Sequence, residues 1–179
     1  MRDSLETADI PIQGDAQTMD RDDSGVIEQE RDGCLISTDP ARLDLEVIYG
    51  FLSHAYWSEE IPRSTLERAI RNSLCFGLYC DRRQVGFARV VTDRATFAYL
   101  ADVFILDSHR RRGFSKLMMK FIMAHPDLQG LRRWSLATRD AHGLYSRFGF
   151  TSLKQPDRHM EILDLEIYKR ARQARARSE

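Results

Sequence analysis

Cysteine is scarce in this chain of 179 residues: Cys34, Cys75 and Cys80 are all there is, and no Cys-x-x-Cys pair occurs. Cys75 and Cys80, five residues apart, would face opposite sides of one strand, so reduced structural thiols are expected. The five histidines (His54, His109, His125, His142 and His159) lack metal-ligand spacing, and no metal is expected. No apolar run approaches the roughly 20 residues that cross a bilayer. The opening Met1-Arg2-Asp3-Ser4 turns acidic, not apolar, unlike a secretory signal. A cytoplasmic location with no membrane partner is therefore expected. Two phosphate motifs are also missing, Gly-x-x-x-x-Gly-Lys-Ser/Thr and Gly-x-Gly-x-x-Gly, which argues against nucleotide binding in the P-loop or dinucleotide manner.

What is present is unevenly charged. Net charge is zero, yet residues 1–33 carry three arginines against ten carboxylates with few large apolar side chains, and read as a flexible acidic leader. Lys169, Arg170, Arg172, Arg175 and Arg177 make residues 166–179 a basic tail, solvated or frayed into a helix. The tail has no interleaved aromatics beyond Tyr168, so no nucleic-acid partner is expected. One folded domain over residues 34–165 remains.

Periodicity orders that domain. Cys34 to Ser37 reads as a short strand, and Asp39 or Asp44 can start a helix whose Ile48, Phe51, Leu52 and Ala55 form an apolar stripe. Pro62 begins a second helix with Leu66, Ala69 and Ile70 on one face. Cys75 to Cys80 and Val85 to Val91, joined by Asp81-Arg82-Arg83, form an antiparallel hairpin, and Phe97 to Leu106 a further strand. Phe114, Leu117, Met118, Phe121 and Ile122 mark a long helix that ends before His125-Pro126. Trp134 to Thr138 is the next strand, Ala141 to Phe148 a short helix stopped by Gly149, and Phe150 to Leu153 and His159 to Leu163 are final strands. The class is α/β (α+β).

Between the buried strand and the long helix stand Arg110, Arg111, Arg112, Gly113, Phe114, Ser115 and Lys116. A helix start presents unpaired N–H groups, the arginines add positive charge, Gly113 permits close backbone approach, and Ser115 leaves room for an oxyanion. This is an anion site suited to a phosphate.

The run Arg110-Arg-Arg-Gly113-Phe-Ser115 resembles the Gln/Arg-x-x-Gly-x-Gly/Ala motif of the GCN5-related N-acetyltransferase (GNAT) family, with Ser115 as a departure conservative in size. Downstream, Ala141-His-Gly-Leu-Tyr145-Ser-Arg-Phe-Gly149-Phe150 resembles that family's Ala-x-x-Leu-Tyr-x-x-x-Gly-Phe segment. The resemblance covers about residues 35–163. It implies a three-layer fold with a central mixed, mostly antiparallel twisted sheet of six or seven strands, helices on both faces, and a splayed central parallel pair. It further implies that acetyl-CoA is the cosubstrate, its pantetheine pairing with the backbone of Val103, Phe104 and Ile105, its pyrophosphate over residues 110–116. Thr138 stands where the family often has a cofactor-contacting Asn.

The same resemblance makes Tyr145 the general acid to the departing thiolate, in direct attack by a primary amine on the thioester. Asp102, the carboxylate inside the central strand, is a candidate base or else a satisfied structural acid. Tyr56 and Trp57, between the first two helices, and Asp93 are candidate acceptor contacts, the rings with nearby acids suiting a cationic amine; Tyr56 and Trp57 also read as core caps. Asp140 reads as the N-cap of the Tyr145 helix. The acceptor is a small-molecule or protein amine, and an exposed C-terminal strand would let two chains pair as a homodimer. The competing readings are a non-catalytic acyl-CoA-binding regulatory module and an interaction protein that uses its basic loop on polyanions.

Overall fold

A computed structural model of the chain describes residues 25–176. The first 24 residues of the expected acidic leader, and residues 177–179 of the expected basic tail, lie outside the described residues. Six strands form one sheet in chain order: β1 (Glu28–Arg31), β2 (Cys34–Ser37), β3 (Leu74–Cys80), β4 (Arg83–Thr92), β5 (Phe97–Ile105) and β6 (Arg133–Ser135). Neighbours pair antiparallel up to β5, and β5 and β6 pair in parallel. Such a parallel step requires a crossover, which α3 (Phe114–Ala124) supplies.

Helices cover both faces. Asp44 accepts from the N–H groups of Glu46 and Val47 and so starts α1 (Leu45–Leu52), while α2 (Arg63–Arg71) follows Pro62. Ile48, Leu52 and Leu66 bury their side chains with Cys75, Phe87 and Phe104 on one side of the sheet. On the other side Phe114, Met118, Met119, Phe121 and Ile122 of α3 pack on Phe76, Leu78, Val90 and Leu100. A short α4 (His142–Tyr145) runs into a 3-10 turn that ends at Gly149 with φ 86°. The last helix, α5 (Ile167–Ala176), sets Tyr168 against the α1 and α2 cluster and pairs Arg172 with Glu60, so this part of the basic tail is docked.

Four expectations need correction. Order begins before residue 34: Ile27 is buried, its N–H donates to the Thr38 hydroxyl at 2.8 Å, and β1 pairs with β2 along its length. Cys34 and Cys80 are joined by a disulfide and are not free thiols, because the β2–β3 register sets them directly opposite, with Cα atoms 4.4 Å apart; only Cys75 stays free, buried among the helices. The strand expected over Trp134 to Thr138 is confined to residues 133–135, where its partner stays close enough to pair. Residues 150–153 and 159–163 form no strand, and Met160 and Ile162 are wholly exposed.

Candidate functional site

The site begins where two strands part. Phe97, Ala98 and Tyr99 pair with Arg133, Trp134 and Ser135, and there the β5–β6 ladder stops. A bulge explains the parting. On β4, Phe87 and Arg89 oppose Phe104 and Ala101, so β5 carries an extra residue in this stretch, and Asp102 there takes φ 55°. A bulge bends its strand and increases its twist, so Val103, Phe104 and Ile105 turn away from β6 with their β6-facing edge outside any ladder. Gly86 lets that end of β5 settle onto β4 and α3, since a Cβ there would lie 2.6 Å from Ile105 Cδ1 and 3.0 Å from the Phe104 carbonyl oxygen.

Beyond Ile105 the chain passes through a 3-10 turn (Asp107–His109) into the basic loop. Arg110 is tied down: its Nε–H donates to the Ile105 carbonyl at 3.2 Å, and its guanidinium pairs with Asp107. Arg111 has φ 62° and Gly113 φ 83°, and α3 opens at Gly113 with no side-chain cap. Leu117 N–H makes the bond to the Gly113 carbonyl, so the N–H groups of Phe114, Ser115 and Lys116 precede the helical ladder and point out of it. The Arg112 guanidinium lies 5.1 Å from the Phe114 ring centroid, beside those donors. Free strand edge, positive helix start and a glycine with open space about its would-be Cβ follow one another along the chain. They fit a ligand with an amide-bearing arm and a diphosphate.

Two segments meet across the gap between β5 and β6. From the α1–α2 side comes the loop of residues 53–62, fixed by the Ser58 hydroxyl donating to the Leu52 carbonyl at 2.7 Å and the Glu60 N–H to the Ser53 carbonyl at 3.0 Å. This leaves Tyr56 and Trp57 protruding, edge to face at 4.9 Å. Trp57 Nε1–H donates to Asp102 Oδ1 at 3.3 Å, and Arg89 Nε–H to Asp102 Oδ2 at 2.7 Å; Arg89 in turn donates to the Ser73 hydroxyl. From beyond β6, Arg139 N–H donates to the Tyr56 phenol oxygen at 3.1 Å, and the Arg139 guanidinium lies 3.8 Å from the Tyr56 ring centroid. Tyr145 sits behind them, buried, packed at 66° on Phe150. Burial above all, then the nearby Tyr56 and Asp140, pushes its phenol up to about 12. A tyrosine so placed is a neutral hydrogen-bond donor at physiological pH.

Residues 71–152 match the acetyltransferase (GNAT) domain family. A candidate acetyltransferase of Gibberella zeae is 36% identical over 136 residues, which cover 63% of this chain and 76% of that protein. The crystal structure of a candidate GNAT acetyltransferase from Xanthomonas campestris pv. campestris is 54% identical, covers 75% of this chain and 96% of its own, and superposes with a TM-score of 0.74. The chain belongs to the GNAT acetyltransferase family. A GNAT acetyltransferase from Elizabethkingia anophelis, solved with acetyl-CoA bound, covers 75% of this chain and 90% of its own at 13% identity and a TM-score of 0.55, a likeness of fold.

Set on the GNAT fold, the expected site residues divide. Tyr56, Trp57, Asp102 and Tyr145 converge on the gap, and residues 103–105 and 110–116 lead into it. Asp93 does not join them. It is consumed by the β4–β5 turn, accepting from the N–H groups of Ala95, Thr96 and Phe97 and from the Thr96 hydroxyl, and these bonds, the hydroxyl's first, hold it below the usual carboxylate range. Thr138, not Asp140, braces the start of α4, its hydroxyl accepting from Ala141 N–H at 3.1 Å. Sequence reasoning missed two arginines. Arg89 had a readable signal, since it shares a strand face with the core residue Phe87 and opposes Ala101, next to an acid. Arg139 had none, because its stacking on Tyr56 spans 83 residues of sequence.

Proposed function

We propose that this protein is an acyl-CoA-dependent N-acetyltransferase that carries an acetyl group from acetyl-CoA to a primary amine by direct attack in a ternary complex. The observation that carries the reading is the continuous path formed by the open β5 edge at Val103 to Ile105 and the uncapped α3 start at Gly113, with the buried Tyr145 phenol across the gap. The edge has the amide donors and acceptors to receive a pantetheine arm as an added strand. The N–H groups of Phe114 to Lys116, with Arg111 and Arg112, suit the diphosphate.

In the transfer step the amine nitrogen bonds to the thioester carbonyl carbon and the C–S bond breaks, its electron pair going to sulfur. Tyr145 gives its phenolic proton to that thiolate and is reprotonated from solvent, while the surplus proton on nitrogen leaves to water. Asp102 is a positioning residue in this scheme. One of its oxygens accepts from Arg89 and the other from Trp57, so its part here is to orient the indole at the acceptor side.

The test is thiol release from acetyl-CoA across a broad amine panel, for wild type and Tyr145→Phe, with acetyl-CoA affinity measured in parallel. Amine-dependent release that drops about 100-fold or more in the variant at unchanged affinity supports the mechanism. Equal rates in both proteins overturn it. Tight binding with no release for any amine would favour an acyl-CoA-binding regulatory module.

A further inference from the structure

Two carboxylate and aromatic groups that would suit a simple cationic amine are already occupied. The Tyr56 ring carries the Arg139 guanidinium 3.8 Å from its centroid, and Asp102 is bound by Arg89 and Trp57. Arg139 itself is exposed, and among the described residues no carboxylate lies within ion-pairing distance of it, its neighbour Asp140 included. It is nevertheless held in place, by its N–H on the Tyr56 phenol and its planar head on the Tyr56 ring. A stacked guanidinium keeps its in-plane N–H donors directed outward, in the fork that matches two carboxylate oxygens.

We propose that Arg139 is the anchor of an acceptor subsite, and that the acceptor is an amine that also bears a carboxylate. Resting on the acetyl-transfer reading above, this names the substrate class. The carboxylate takes the exposed edge of Arg139, on the shelf that Tyr56 provides, and the amine points inward past Trp57 toward the gap in front of Tyr145. Glu59 and Asp140, exposed on the two segments that carry Tyr56 and Arg139, favour the amine's positive end over a second anion.

The experiment compares kcat/KM for matched amines that differ only in the acid group: 4-aminobutyrate against butylamine, and phenylalanine against phenethylamine. 2-Aminoethyl phosphate serves as the phosphate arm. Wild type should favour the carboxylate member by about 10- to 100-fold, as charge-assisted hydrogen bonds do. Arg139→Gln should bring that ratio close to one through KM, with acetyl-CoA affinity preserved. Indifference of wild type to the carboxylate, a ratio unmoved by Arg139→Gln, or a preference for the phosphate overturns the assignment while leaving acetyl transfer intact. If no amine is turned over, the transfer reading fails by itself. Calorimetric binding of 4-aminobutyrate to the CoA-loaded protein then reads the subsite directly: binding lost in Arg139→Gln supports it, and no binding to wild type overturns it.

Discussion

Arg89 Nε and Asp102 Oδ2 lie 2.7 Å apart, in a pair whose side chains are 16% and 10% exposed, under the indole of Trp57. The pair sits on the bulge that turns β5 away from β6, so the same residue that bends the strand also fastens it to β4. Removing one partner strands the other charge in a nearly dry environment. Asp102→Asn is expected to cost about 3 kcal/mol of unfolding free energy. Replacing both, as Arg89→Met with Asp102→Leu, should recover most of that loss. Urea denaturation of the three proteins checks it, and a single variant as stable as wild type would mean that water already screens the pair.

Gly113 holds φ 83° at the mouth of α3, where no atom stands in the way of a side chain. Gly113→Ala should therefore cost only the left-handed backbone penalty of about 1 kcal/mol. Gly113→Asp adds a negative charge beside the N–H groups that face the proposed diphosphate. Acetyl-CoA affinity should fall about 10-fold or more beyond the alanine variant, given the worth of charge-assisted bonds at such a site. Titration calorimetry with acetyl-CoA reads the difference, and thermal melts separate it from loss of fold.

How much of this was legible in the sequence follows from how local each feature is. The α3 stripe, the β3–β4 hairpin and the basic loop are set by neighbours within a few residues, and periodicity found them. The short β1 has only Ile27 buried at its entrance and exposed or half-exposed residues within, so composition read it as part of the acidic leader. The disulfide required the β2–β3 register, which no spacing reveals across 46 residues. At the site, Tyr145 and residues 110–116 stood in contiguous motifs, whereas the contacts that decide the acceptor side, Trp57 with Asp102 and Tyr56 with Arg139, bridge 45 and 83 residues. The carboxylates followed the same division. In the sequence Asp102 reads as available because its partner Arg89 lies on another strand, and Asp93 because the N–H groups it binds are set only by the β4–β5 turn.

The bond between Cys34 and Cys80 closes a long loop that contains α1 and α2. Cross-linking such a loop limits the unfolded chain, and Cys34→Ser is expected to lower stability by about 2–4 kcal/mol. The site lies at the other end of the sheet order, on β5 and β6, so acetyl-CoA affinity should persist below the melting temperature. Denaturation of the wild type with and without reductant should reproduce the effect of the substitution. A wild type indifferent to reductant would show that β1 and β2 add little to the cooperative unit.

Burial raises both Tyr145 and Cys75 to about 12, from ordinary values near 10 and 9. The causes are chiefly desolvation; for Cys75 the Arg89 charge opposes it and Asp102 adds to it. Both groups are neutral when protonated, so folding favours the bound proton. Their contribution to stability is fully present below the unfolded values and is lost as pH rises from about 9 toward 12. Unfolding free energy should therefore decline through that window, and less steeply in Cys75→Ala combined with Tyr145→Phe. The rate has a matching signature. If Tyr145 donates the proton, acetyl transfer should show no alkaline fall centred at the ordinary tyrosine value of about 10, and a loss should set in only as pH approaches 12. A pH–rate profile up to the limit of folding checks this, with the unfolding curve at each pH marking where that limit lies. A fall centred near 10 in a protein still folded would mean that the phenol is solvated in the working enzyme, and that the buried position of Tyr145 is not the one in which it acts.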